Sequence, residues 1–279
     1  MVNLPCVTPL FVPGDRPERY GKAASSGADA IIIDLEDAVA PDAKTAARIA
    51  LCRPGALPEG VDIFVRVNAC GTPWFGDDLA AIANLPPVAG VVLPKTETLE
   101  DVAAVSRRFP GMAVIALIET ALGLAAIREI GRVDGVRRLA FGSIDFCADI
   151  GMSHQRDALL MARSEIVLAS RLGALAPPID GVTTVIDDAT QIEDDARYAQ
   201  GLGFGGKLCI HPRQIAPARR GFAPSAAESA WARRILAVGV EGAASVDGTM
   251  VDAPVRARAR QILAREPTLH NQAERRTPT

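Results

Sequence analysis

"AIIIDLEDAVAPDAKTAARIAL", residues 30–51, is the stretch whose reading decides the fold of this chain. Residues 30–35 form a short aliphatic run with three consecutive isoleucines, which predicts a strand buried on both faces. Three carboxylates, Asp34, Glu36 and Asp37, occupy four positions at its end. A segment of helical periodicity follows over residues 42–52, entered through Pro41 and Asp42. Strand, acidic turn and helix in that order make one βα unit.

The same alternation recurs in both directions. Strands are predicted at 7–13, 62–67, 90–94, 113–118, 137–142, 178–183 and 206–210, which makes eight with 30–35. Helical segments at 17–27, 98–109, 121–132, 156–173 and 188–203 lie between them, several opening on Asp, Thr or Pro and closing on Gly. Eight βα units within about 220 residues fit the α/β class as a (β/α)₈ TIM barrel; a doubly wound open sheet is the weaker alternative. Residues 223–279 have a different character, with helices at 225–238 and 253–266 joined by a Gly-rich linker at 239–252 that is expected to be mobile. The expected division is therefore a barrel over 1–222 and a C-terminal helical extension over 223–279, with 271–279 frayed.

Composition excludes several classes of function. A net charge of −3 gives no footprint for nucleic acid. The five cysteines (Cys6, Cys52, Cys70, Cys147, Cys209) are dispersed without C-x-x-C spacing, which predicts reduced core thiols and neither a disulfide frame nor a zinc site. No apolar run reaches the ~18 residues of a membrane span and no basic leader opens the chain. The expectation is a soluble cytoplasmic protein without nucleic-acid or membrane partners.

In such a barrel the C-terminal ends of all strands open onto one face, where chemistry sits. The polar residues delivered there are Asp34, Glu36 and Asp37 from the second strand, Arg66 and Asn68 from the third and Lys95 from the fourth. The fifth gives Glu119, the sixth Ser143 and Asp145, and the eighth His211. Plain structural roles stand beside each: helix caps or solvated loop positions for Asp37 and Asp187, an ion pair with Glu36 for Arg66, a hydrogen-bonded structural role for His211. Glu119 and Asp145 are the sharper signal, because they end consecutive strands and can converge on one hard cation. Without a Cys or His cluster nearby, oxygen ligation favours Mg²⁺ or Mn²⁺. A Schiff-base aldolase built on Lys95 or Lys207 is a rival, disfavoured because acids or glycines surround both lysines.

"LFVPGDRPERYGKAASSGADAIIIDLEDAVAPDAKTAAR", "FVRVNACGT", "VVLPKTET", "VIALIETALGL", "FGSIDFCADIG", "GGKLCIHPRQI" and "GTMVDAPVRARARQIL" run in order from residue 10 to about 263. On these motifs the chain closely resembles the citrate lyase beta subunit and its relatives that cleave malyl-CoA or citramalyl-CoA, within the HpcH/HpaI aldolase superfamily. The resemblance implies a barrel that binds Mg²⁺ through Glu119 and Asp145, with Arg66 gripping the carboxylate of a 2-oxo acid. It implies a C-terminal extension that acts as a lid over a neighbouring subunit, bringing Asp252 of "MVDAP" as acid/base, in a homotrimer or homohexamer. Lys22 matches a lysine near CoA in some relatives. Two departures concern the nucleotide end of a CoA site: "CVTPLFVPG" replaces an Arg-Arg-Ser-type lead, and the stretch after "ADIGM" is brief. An acidic Asp37 stands where the pyruvate-aldolase cousins carry a histidine base, which argues against that subgroup.

The expected chemistry is retro-aldol cleavage of a citramalyl-, malyl- or citryl-type thioester, carried on CoA or an acyl carrier protein, into a 2-oxo acid and an acetyl-type thioester. Glu36 and Asp37 would sit beside Arg66, Lys95 and the cation and orient them. Backbone N–H groups at Gly142, Ser143 and Ile144 would hold the developing oxyanion. Thioester hydrolysis at the same site, and a non-catalytic acyl-binding subunit of a larger lyase complex, are the alternatives.

Overall fold

The structure, a computed structural model, describes residues 6–237, 244–246 and 249–266. Eight parallel strands run in sequence order around one sheet: β1 (Pro9–Pro13), β2 (Ala30–Asp34), β3 (Asp62–Arg66), β4 (Gly90–Leu93), β5 (Ala113–Ile118), β6 (Val136–Phe141), β7 (Ile179–Asp180) and β8 (Gly206–Lys207). Helices connect them: α1 (Tyr20–Ala24), α2 (Lys44–Leu51), α3 (Phe75–Ile82), α4 (Leu99–Arg108), α5 (Ala121–Ile130), α6 (Ser143–Ile150), α7 (Leu160–Leu172) and α8 (Ala189–Leu202). The sheet closes into a barrel where β8 meets β1. Lys207 N–H donates to the Val7 carbonyl, Cys209 N–H to Pro9 and Phe11 N–H to Cys209, each at 2.8–2.9 Å.

Helix α9 (Ile215–Phe222) follows the barrel, and then α10 (Ala226–Ala237) and α11 (Ala253–Leu263). Between the last two, residues expected as loop carry a hairpin of β9 (Ala244–Val246) and β10 (Thr249–Val251). The remainder of that linker, 238–243 and 247–248, and the tail from 267 lie outside the described residues. Ala232, Ile235, Val251, Ala259 and Ile262 form a separate small apolar cluster in this C-terminal region.

The period-2 alternation of the strands builds two apolar layers and aims the site. Ile31, Ile33, Val65, Val91 and Leu93 pack outward against the helices, where most of the core lies. Ala30, Ile32, Phe64, Val92, Ile115, Leu117 and Ala140 fill the barrel interior. The same parity carried one step further turns Asp34, Arg66 and Glu119 inward, directly above that interior packing. Two predicted strands are shorter than expected, at two residues each for β7 and β8. Beyond Lys207 the chain continues as a single bridge, Cys209 to Leu10, rather than a full ladder. Cys6, Cys147 and Cys209 are buried as expected, but Cys52 is exposed and Cys70 half-buried.

Candidate functional site

A cavity of about 360 Å³ opens at the C-terminal strand ends. Asp34, Asp37, Arg66, Glu119, Ser143 and Asp145 supply its polar lining, and Phe11, Leu117, Phe141 and Val182 its apolar walls. Most of the residues nominated from sequence therefore share one wall-to-wall space. Glu36 and Lys95 sit just behind it, in contact with its lining.

Arg66 is the hub. Asp34 and Arg66 are the last residues of β2 and β3 and stand opposite each other in register. Arg66 Nε donates to Asp34 Oδ1 at 2.8 Å and Nη2 to Oδ2 at 2.6 Å, a fork-on-carboxylate pair. Its Nη1 lies 2.9 Å from Glu36 Oε2 and 3.8 Å from Asp37 Oδ2, ion pairs rather than aligned hydrogen bonds. The Phe11 ring lies under the guanidinium at 4.8 Å. Burial opposes the Arg66 charge, but Asp34 and Glu36 outweigh it and hold the group above its ordinary range. The expected Glu36 partner is thus present, yet Asp34 is the main one. Only the Nη1–Nη2 edge is left for an incoming carboxylate, and Glu36 contests it.

The loop after β2 is held from below. Lys44 Nζ donates to the Leu35 and Glu36 carbonyls at 2.8 and 2.7 Å, and Asn68 Nδ2 donates to Leu35 and to Asp78. Lys95 Nζ donates to Glu36 Oε1 at 2.7 Å. Burial works against the Lys95 charge, but Glu36 and Glu119 prevail and raise its pKa, which removes it as an amine nucleophile. Glu36 itself is pushed up, chiefly by burial, against the pull of Arg66 and Lys95. The opening cluster of acids is therefore resolved unequally: Asp34 and Glu36 are buried against Arg66 and Lys95, whereas Asp37 is 55% exposed at the rim.

Glu119 is 1% exposed. Its Oε1 accepts the Lys95 backbone N–H at 2.8 Å, from a lysine held at φ 45°, a left-handed conformation that is rare outside glycine. Its Oε2 is buried with no hydrogen-bond partner among the described residues. Burial first, then the charges of Glu36 and Asp145, push its pKa up to about 8 against Lys95 and Arg66. A buried carboxylate oxygen with no donor, beside a second acid on a solvent-reachable wall, is the donor set a hard divalent cation takes. Among the described residues no three His, Cys, Asp or Glu converge, so two carboxylates are what this wall offers.

Helix α6 begins here. Gly142 is its cap and no side chain caps it, so the first-turn N–H groups of Ser143 and Ile144 have no intrahelical acceptor. Gly142 N–H itself is taken by the Ile118 carbonyl at 2.9 Å. A Cβ at Gly142 would land on the Glu119 carboxylate, so only glycine fits between the two acids. Ser143 Oγ and His154 Nε2 are 2.9 Å apart.

Asp37 and Asp187 are the solvated loop acids that the sequence allowed, Asp37 at the cavity rim and Asp187 paired with Arg213, while Asp188 is the acid that caps α8. His211 has the structural role assigned to it, capping a single 3₁₀ turn with Gln214. Lys22 is exposed on α1, away from the cavity lining. Asp252 caps α11 by accepting the Val255 N–H at 3.1 Å and is not among the residues around the cavity. Asp34 is the residue that sequence reasoning undervalued. Asp34 and Arg66 each stand one place before the end of strands read as equally long, 30–35 and 62–67, a hint that carries no register.

The chain is similar to known proteins over most of its length. The HpcH/HpaI aldolase/citrate lyase family model matches residues 8–212. A citrate lyase subunit beta-like protein of Deinococcus radiodurans is 38% identical over 276 residues, covering 92% of this chain and 96% of the relative. A (3S)-malyl-CoA thioesterase of Cereibacter sphaeroides is 34% identical over 266 residues, covering 92% and 93%. The crystal structure of protein CitE from Mycobacterium tuberculosis, in complex with magnesium, acetoacetate and coenzyme A, superposes with a TM-score of 0.83 at 38% identity over 93% of this chain and 97% of that one. With its eight-stranded barrel and its acid-lined mouth, the chain belongs to the HpcH/HpaI aldolase/citrate lyase family.

Proposed function

We propose that this protein is a Mg²⁺-dependent carbon–carbon lyase, with Mn²⁺ as a substitute cation. Its substrate is a citramalyl-, malyl- or citryl-type thioester on CoA or an acyl carrier protein. The products are a 2-oxo acid and an acetyl-type thioester, and the reverse condensation is the same chemistry. The observation that carries this reading is the partnerless Glu119 Oε2, buried beside Asp145 in a cavity that also holds Arg66. The magnesium, acetoacetate and coenzyme A bound to the related CitE support it.

Glu119 and Asp145 would hold the cation, which when bound supplies Lewis-acid polarisation of the hydroxyl that becomes the ketone. Arg66 receives the carboxylate next to that carbon on its Nη1–Nη2 edge and fixes the scissile bond. Glu36 and Asp37 share Arg66 and keep its plane set. The open N–H groups of Ser143 and Ile144, at the start of α6 beside Gly142, stabilise the thioester enolate oxygen. Asp252, from the C-terminal extension of a neighbouring subunit closing as a lid, moves the methyl proton at the enolate carbon. Lys22 on α1 attracts the CoA phosphates.

A homotrimer or homohexamer is part of the proposal. Met161, Leu168 and Leu172 are exposed in one stripe along α7, apolar surface of the kind that self-association covers. We assign the protein to the cytoplasm as a soluble enzyme, and no helix among the described residues is long and apolar enough to cross a membrane.

The test is cleavage of citramalyl-CoA, malyl-CoA and citryl thioesters with Mg²⁺. Glu119→Ala and Asp145→Ala are each expected to lower kcat by about 10²-fold or more. Undiminished turnover would overturn the cation assignment. The thioesterase relative supports one second reading, hydrolysis of a malyl thioester at the same site. Free CoA appearing without a 2-oxo acid identifies that outcome.

A further inference from the structure

A second cavity, of about 290 Å³, lies beyond Val182, between the segment after α6, helix α7, the ends of β7 and β8, and α8. Val182 lines both cavities. On its floor one carboxylate faces two cations. Asp180 Oδ1 accepts from Arg163 Nε at 2.8 Å and Oδ2 from Lys207 Nζ at 3.1 Å, with all three side chains at most 6% exposed. That triad carries one uncompensated positive charge. Arg163 Nη1, also buried, has no hydrogen-bond partner among the described residues. Tyr198 spans the space, its ring 4.9 Å from the Arg156 guanidinium and 5.8 Å from that of Arg163.

The lining as a whole holds three cations, Arg156, Arg163 and Lys207, against two acids, Asp180 and Asp195. Asp195 binds Arg156 at 2.6 Å and accepts from Thr183 Oγ1 at 2.8 Å. Asp194 also binds Arg156, but from outside the lining and 63% exposed, where water screens it. At His154 burial first, and then Arg163 and Lys207, hold the pKa down against Asp180 and Asp195. The volume equals roughly ten waters and its walls are mostly polar, so an apolar ligand has little to pack against. A buried positive excess, an unused guanidinium donor and a polar chamber fit one small singly charged oxyanion.

We propose that this chamber binds a small monoanion, a carboxylate or dihydrogen phosphate-sized oxyanion, on Arg163 and Lys207. Its occupancy reaches the first cavity through His154, whose ring touches Ser143 at that cavity's wall. The site is separate from Glu119, Asp145 and Arg66 and stands or falls independently of the lyase reading.

The experiment uses the full chain with labelled histidine. Three histidines are present, and His154→Gln assigns the His154 imidazole by its disappearance. The His154 pKa is followed by NMR while acetate, or in a second arm inorganic phosphate, replaces chloride at constant ionic strength. A bound negative charge adds to Asp180 and Asp195 against Arg163 and Lys207, so the His154 pKa rises to a plateau. Saturation by acetate alone identifies a carboxylate site; saturation by phosphate identifies a general oxyanion site. Lys207→Gln raises the half-saturation concentration by about tenfold or more. The response persists in Arg66→Gln. No saturable shift in either arm, or a response abolished by Arg66→Gln, overturns the proposal.

Discussion

A carboxyl group sealed from water beside two other acids resists ionisation, and Glu119 is held at about 8 for that reason. Its folded pKa lies above its ordinary value of 4.5, so the metal-free fold loses stability as pH rises from 4.5 through about 8. A cation on Glu119 and Asp145 removes that loss. The Mg²⁺-induced rise in Tm is therefore expected to be larger at about pH 9 than at about pH 6; equal rises would place the cation elsewhere. Arg66 makes the complementary case. Asp34→Ala strips the fork from a buried guanidinium and is expected to cost about 3–5 kcal/mol in urea unfolding. Glu119, Asp145, Arg66 and Glu36 were legible because strand ends in a barrel share one mouth. The Asp34–Arg66 pairing was not, because a residue list carries no register, and only the β2–β3 alignment sets these two side by side.

Helix α6 converts a strand end into a site. Its cap is a glycine because the Glu119 carboxylate occupies the space a Cβ would need. Gly142→Ala is expected to keep the far-UV circular dichroism of the barrel while abolishing Mg²⁺-dependent stabilisation, since Glu119 must move. Retained stabilisation would mean that the two acids do not act together. The long amphipathic helices α4, α5, α7 and α8 matched their sequence periodicity. The eight-residue helices α3, α6 and α9 did not stand out. Two turns give the period few repeats: α2, equally short, was readable because Pro41 and Asp42 mark its entry, whereas Pro217 and Gly221 interrupt α9. Pro217 is tolerated because its missing N–H falls in the first turn, where no intrahelical acceptor exists.

For the whole molecule, the barrel followed by a helical C-terminal region was readable from alternation and composition, whereas the whereabouts of Asp252 was not. A single chain leaves Asp252 capping α11, a role that asparagine fills equally well. Asp252→Asn is thus expected to melt within about 1 °C of the parent while losing turnover. Mixing Asp252→Asn with Glu119→Ala subunits is expected to restore part of the activity if each site borrows its neighbour's acid; no recovery from the mixture would assign Asp252 to its own chain's site, and undiminished turnover of Asp252→Asn alone would leave it a capping residue only. The seam between β8 and β1 bears on the birth of the molecule rather than on its catalysis. Residues 9–13 find their last neighbour only when residue 209 emerges, at translation rates of 5–20 residues per second roughly 10–40 s later. Throughout that interval the first stave presents an unpaired flank, so the hazard of wrong pairing falls on the nascent chain. Once Cys209 has docked, the flank of the first stave is covered.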